Sequence, residues 1–261
     1  MQPSECTLFL RGSGIINLSI LQKTLKIIPT NGQPLYRPLN TISAIFVTGD
    51  LSQGLSALLT CVRSNIPVGF FSYRGELKAL LEPADFKPVP LADFINELKP
   101  ESYETRLLSN WLQEQQRHAY AQLGLPAKSR LQQQQIFHQQ LALWLKQQPV
   151  AKKQWRLARS WLEGLLLFYI RSGLHLRHVE PITYGYMQLE VGLAGILRPL
   201  LLTRLGQLCL SDMSSDDSHF LQNGLYKLTE DISQFLQHLL YSLESEFNRG
   251  VFYGNQSPLC D

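Results

Sequence analysis

Cysteine is scarce, and the four present (Cys6, Cys61, Cys209 and Cys260) are scattered without a CxxC pair. That spacing excludes a disulfide scaffold and a cysteine-based zinc site, and it suits a reducing compartment. Cys61 reads as a small buried hydrophobe. Long apolar runs are also missing. The longest, Trp161 to Leu174, is too short for a membrane helix and carries Glu163 and Arg171, so no membrane span is expected. Glu5 comes early, and no signal-peptide layout follows it. The expectation is a cytoplasmic protein with no membrane association.

Charge of one sign is thin overall, with a formal net charge of +3, but it is unevenly spread. Residues 101–210 hold 13 Lys/Arg against 6 Asp/Glu, whereas residues 211–261 hold 2 against 8. The middle of the chain is therefore a candidate polyanion surface, and the acidic tail is not.

The chain of 261 residues is long enough for one large domain or two smaller ones. The first 80 or so residues read as β-rich. Strands are expected at Thr7–Arg11, Gly14–Ser19, Thr24–Ile28, Pro34–Leu39, Ile42–Val47 and Asn65–Ser72, with a hairpin at Asn31-Gly32. Between the last two strands, Ser52 is a candidate cap for a helix reaching Ser64. Pro83, Pro88, Pro90 and Pro100 then argue against a regular element. The remainder reads as helix: Tyr103–Leu123, Ser129–Gln147, Ala151–Leu174, Tyr186–Leu210, Ser218–Leu225 and Leu228–Phe247. The expected class is α+β, with a β-rich domain over residues 1–82, a linker over 83–100, a helical domain over 101–250 and a flexible tail over 251–261.

Inside the helix expected at Tyr186–Leu210 stand Gly192 and Gly195. Each costs a helix interior about 1 kcal/mol relative to alanine, and three residues apart they share a face. A side-chain-free stripe permits close approach of another helix. That reading requires the space beside both glycines to be filled.

The order of these pieces carries a resemblance. An apolar strand ends in Thr48-Gly49-Asp50; Ser52 and a leucine-rich helix follow; then comes Asn65-Ile66-Pro67-Val68-Gly69-Phe70-Phe71-Ser72-Tyr73-Arg74-Gly75. Downstream stand Gly173-Leu174-His175 through Pro181, the segment Leu193–Leu202 with Arg198-Pro199, and Phe220 followed by Asn223-Gly224-Leu225-Tyr226-Lys227-Leu228. This order resembles the CRISPR adaptation integrase family, the metal-dependent DNA endonucleases that insert spacers. The resemblance implies a β domain that homodimerises and a helical domain that handles double-stranded DNA. It also implies a glutamate, a histidine and a second acid holding magnesium or manganese, the hard ions such ligands suit.

The resemblance puts the second acid at Gly195 and a further acid at Gly192. No histidine occurs in Pro181–Gln188, where the family's histidine turn falls. Glu163 is a possible remnant of the first ligand, although its alignment is ambiguous. The active site therefore does not carry over, and no cofactor is expected unless ligands have moved. A relocated set would draw on Glu163, His175, His178 and Glu190, with His175 and His178 sharing a face. The opposing reading of the two histidines is a polar loop at a helix C-terminus.

Lys152, Lys153, Arg156 and Arg159 are the candidate nucleic-acid contacts. Residues 152, 156 and 159 share one helical face, and Trp155 stands beside them. Arg117, Lys128, Arg130, Arg171, Arg177, Arg198 and Arg204 are weaker candidates, and the glutamine run 132–135 reads as solvent-facing. Three functions follow. The first is a catalytically degenerate integrase homologue, dimeric, binding DNA or scaffolding other CRISPR-associated proteins. The second is an active metal-dependent endonuclease with relocated ligands. The third is an interaction module that binds no nucleic acid.

Overall fold

The computed structural model describes residues 6–51, 53–83, 90–126, 129–148, 152–211, 217–250 and 252. It divides into two compact units, Met1–Phe86 with Ser160–Phe168, and Lys87–Arg159 with Tyr169–Asp261. The fold is α+β, with the strands in the N-terminal part and helices thereafter.

The first unit holds two sheets. β1 (Cys6–Arg11), β5 (Ile42–Thr48), β6 (Val68–Phe71) and β7 (Leu77–Leu81) form one sheet in that order. β1, β5 and β6 run parallel, and β7 is antiparallel to β6. β2 (Ile15–Leu21), β3 (Thr24–Pro29) and β4 (Leu35–Pro38) form an antiparallel second sheet. β5 is apolar almost throughout because both of its faces are covered. Ile45 and Val47 belong to a core with Leu58 and Cys61 of α1 (Leu55–Arg63). Phe46 is also fully buried, with ring contacts to Phe9 at 5.1 Å, Phe71 at 5.3 Å and Phe168 at 4.7 Å.

Phe168 belongs to α5 (Lys152–His175), whose stretch 160–168 packs within this unit. The fit depends on Gly75, which has φ +85°. A side chain there would collide with the backbone of Trp161, and one at Gly164 would strike the Gly75 carbonyl. Trp161 meanwhile stacks on Phe71 at 5.5 Å. Local chemistry thus draws part of a helix into a unit otherwise made from the first third of the chain.

The second unit contains α2 (Pro90–Glu97), α3 (Tyr103–Gln122), α4 (Arg130–Gln147), α6 (Tyr184–Ser211), α7 (Asp217–Asn248) and the flanks of α5. Ser102 caps α3, its hydroxyl accepting from the Thr105 amide. A capping box between Ser129 and Gln132 starts α4. Among the described residues no helix is long and apolar enough to cross a membrane.

Several local expectations are corrected. The proline-rich stretch does contain a helix, α2, because Pro90 sits at its first position, where the missing amide costs nothing. Leu91, Ala92 and Ile95 are buried from it. α7 is continuous through Leu225–Leu228 rather than two helices. α1 begins after Gly54, which has φ +109°, while Ser52 lies outside the described residues. Within the expected flexible tail, Phe252 is fully buried and packs 5.6 Å from Phe94. The glutamine run is not uniformly solvent-facing: Gln133 is 2% exposed and its amide donates to Pro126 O at 3.1 Å, whereas Leu131 is 72% exposed. β7 was not anticipated, since Leu77-Lys78-Ala79-Leu80-Leu81 lacks a clear alternation.

Candidate nucleic-acid interface

The glycine face of α6 meets α3. A Cβ on Gly192 would lie 2.5 Å from Leu112 Cδ1, well inside contact distance. A Cβ on Gly195 would lie 3.4 Å from Gln116 Nε2, an ordinary contact. Gln116 Nε2 also donates to the Gly195 carbonyl oxygen at 3.0 Å. Leu112 and Gln116 are a turn apart on α3, both buried, so one stripe of α3 seats against one stripe of α6. The space beside Gly192 is filled, as close helix approach requires. Beside Gly195 it is partly filled.

The donors that a divalent ion needs are missing from this face. Glycine has no side-chain donor at either position where the resemblance implies an acid, and leucine supplies none in the facing turn. Glu190 is held by Arg171, which donates through Nε at 3.2 Å and a terminal nitrogen at 3.0 Å. This bidentate pair joins α5 to α6. The His175–His178 face is also corrected: α5 ends at His175, and His178 stands in the following turn with φ +60°. Asn96 shapes that turn, donating to His178 O at 3.0 Å and accepting from the Glu180 amide at 2.8 Å. Glu163 is half-buried in the α5 stretch that belongs to the first unit. Among the described residues no three His, Cys, Asp or Glu side chains gather to hold a metal. The residues present do not fit the family's metal.

The basic residues sort themselves by partner. Arg156 and Arg159 are exposed on α5; the side chains of Lys152 and Lys153, and all of Lys128, lie outside the described residues. Trp155 is no surface contact: it is 8% exposed, with its ring 6.4 Å from Trp144. Arg177 pairs with Glu244 and donates to Gly173 O at 3.2 Å. Arg204 pairs with Asp231 at 3.0 Å. With Arg171 bound to Glu190, these three candidates serve helix packing. Arg117 is exposed.

Arg130 and Arg198 are placed differently. They line an open cleft of about 480 Å³ with Gln116, Tyr120, His138 and Gly195. A neighbouring cleft of about 430 Å³ shares Gln116, Arg130 and Val191, and adds Gln113, Gln188 and Gly192. Tyr120 is buried, and burial raises its phenol pKa while Gln116, Arg130 and Arg198 pull it back. Gln116, which holds this region together, went unnoticed in the sequence. Its one signal is position, a polar residue on the stripe of Leu108, Leu112 and Tyr120.

Comparison with known proteins follows these observations. Residues 13–122 match the family described as CRISPR associated protein Cas1. No curated protein matches the sequence. A Cas1 protein from Thermotoga maritima shares the fold at TM-score 0.69 and 14% identity, over 96% of this chain and 97% of that one. A casposase bound to integration product follows at 0.61 and 11%, over 97% and 92%. A TtCas1–DNA complex gives 0.52 and 12%, over 90% and 97%. The likeness to the CRISPR adaptation integrase family read from the sequence holds, in the N-terminal match and in the fold of nearly the whole chain.

Proposed function

We propose that this chain, with its Cas1-like integrase fold and its Cas1 match over residues 13–122, is a catalytically degenerate member that binds DNA. It acts as a dimeric DNA-binding or scaffolding subunit in CRISPR-related defence, in the cytoplasm, alongside other CRISPR-associated proteins. The observation that carries this reading is Leu112 packed against Gly192, where the resemblance calls for a metal-binding carboxylate. Loss of both acids removes the charge stabilisation and the activated hydroxyl that a bound metal supplies. Related folds in complex with DNA and with an integration product support retention of the nucleic-acid surface.

Arg156 and Arg159, exposed a turn apart on α5, are the assigned backbone contacts, with Lys152 and Lys153 beside them. Phosphate contacts of this kind position DNA without reading its sequence. The β domain is the dimerisation surface. Every residue of β4 is exposed, Leu35 and Tyr36 among them, and an apolar open strand edge favours pairing with another chain.

The test is a duplex-binding titration with divalent ions chelated, repeated at rising salt. Binding that weakens steeply with salt is expected. Loss of affinity in a Lys152→Ala/Arg156→Ala variant supports the assigned face, and unchanged affinity removes it. No binding at low salt leaves an interaction module instead.

A further inference from the structure

We infer that the trough along the α3–α6 contact, walled by Arg130 and Arg198 over the Gly195 backbone, binds a nucleic-acid phosphodiester directly, without a metal ion. The inference rests on the DNA-binding reading above and adds a second site to it, on helices other than α5.

The first argument is the chemistry of the lining. The two clefts share Gln116, Arg130 and Val191 and so form one continuous depression beside both glycines. No carboxylate lines either part. Two guanidinium groups, the His138 imidazole and amides from Gln113, Gln116, Gln134 and Gln188 do. A trough of hydrogen-bond donors and positive charge with no acid suits an anion. Guanidinium in particular matches the two free oxygens of a phosphate diester through paired N–H donors.

The second argument is selection. The chain neutralises three other basic side chains of this unit with carboxylates: Arg171 by Glu190, Arg177 by Glu244 and Arg204 by Asp231. Arg130 has no carboxylate partner among the described residues. It stands at the first position of α4, exposed at the rim of both clefts. Arg130 and Arg198 are also both felt by the buried Tyr120 phenol, which places their positive fields on one point of the trough wall.

The third argument is access. Side chains at 192 and 195 would project into this depression, so the glycines leave backbone as its floor. A phosphate group meets a low wall there. The same substitutions that remove metal donors thus open a surface on which arginine supplies the positive charge that a metal otherwise brings.

The experiment is an NMR titration of the full-length protein with the dinucleotide pdTpdT in the presence of EDTA, observing arginine Nε–H resonances. Selective shifts at Arg130 and Arg198 are expected, with affinity about tenfold weaker in Arg130→Ala. Arg198→Lys, which keeps charge but not the paired donors, is expected to weaken binding less than Arg198→Ala. Circular dichroism identifies any variant that has lost its fold, and Arg130→Ala on the exposed rim is the variant on which the answer rests. Absence of shifts, or an Arg130→Ala protein that binds as tightly as the original, overturns the inference. Failure of this inference with retained duplex binding leaves the proposed function standing. Dinucleotide binding without duplex binding removes that function while keeping the phosphodiester site.

Discussion

Gln116 donates its side-chain amide to the carbonyl oxygen of Gly195 at 3.0 Å, across the contact between α3 and α6. The acceptor is a residue with no side chain, so the bond forms only because the helices approach closely. Gln116 is 6% exposed, and a buried polar group that loses its partner costs about 1–3 kcal/mol. Replacing Gln116 by alanine removes the donor, strands the Gly195 carbonyl's extra acceptor capacity and leaves a void. Chemical denaturation of Gln116→Ala is expected to show a loss of about 1–2 kcal/mol, with the denaturant slope unchanged. An unaltered midpoint contradicts the pairing.

The two glycines differ in a way that alanine substitution separates. At Gly195 the nearest atom is 3.4 Å from a new Cβ, so the gain in helix propensity, about 1 kcal/mol, is largely kept. Gly195→Ala is expected to raise the thermal midpoint. At Gly192 the new Cβ strikes Leu112 at 2.5 Å, and overpacking of this kind costs about 1–3 kcal/mol. Gly192→Ala is expected to be neutral or destabilising, and Gly192→Asp more so, with partial rescue by Leu112→Ala. Equal effects at both positions contradict the packing described.

The Arg171–Glu190 pair is bidentate, but Arg171 is 42% exposed at its side chain and Glu190 19%. A pair so placed contributes about 0.5–1 kcal/mol. Glu190→Gln is expected to lower stability by that amount, more at low salt than at high, and to leave duplex binding unchanged. A change in manganese affinity instead assigns Glu190 to a metal.

Cys61 gives a pH signature. Burial pushes its thiol up to about 11 from an ordinary 9.0. The folded state therefore holds the proton longer than the unfolded chain. Its contribution is full below pH 9 and is lost as pH rises toward 11. Urea midpoints are expected to fall across that window, less so in Cys61→Ala, and a thiol reagent at pH 8 is expected to label Cys61 only after denaturation. Rapid native labelling contradicts the burial.

Much of this fold was legible because its helices carry strong period and clear ends. α3 ends at Gln122, just before Gly124; α4 begins after Ser129; and the α5 and α6 spans lie within a residue or two of their sequence patterns. Other features depend on tertiary context. Pro90 looks like a breaker, yet at the start of α2 it is harmless. Gln133 and Leu131 exchange the roles that polarity assigns them, since Pro126 offers a buried carbonyl to one and nothing covers the other. Within the site, the glycine pair announced itself in sequence. Which arginines are free to meet a ligand did not, because the carboxylates that occupy Arg177 and Arg204 lie 67 and 27 residues away along the chain.

The central claim is that the integrase-like fold persists where the metal chemistry has been lost. The direct measurement is incubation of the purified chain with supercoiled plasmid in manganese, following nicking and strand transfer over time. The account predicts no product above a protein-free control. Manganese-dependent nicking that disappears in Glu163→Ala contradicts it.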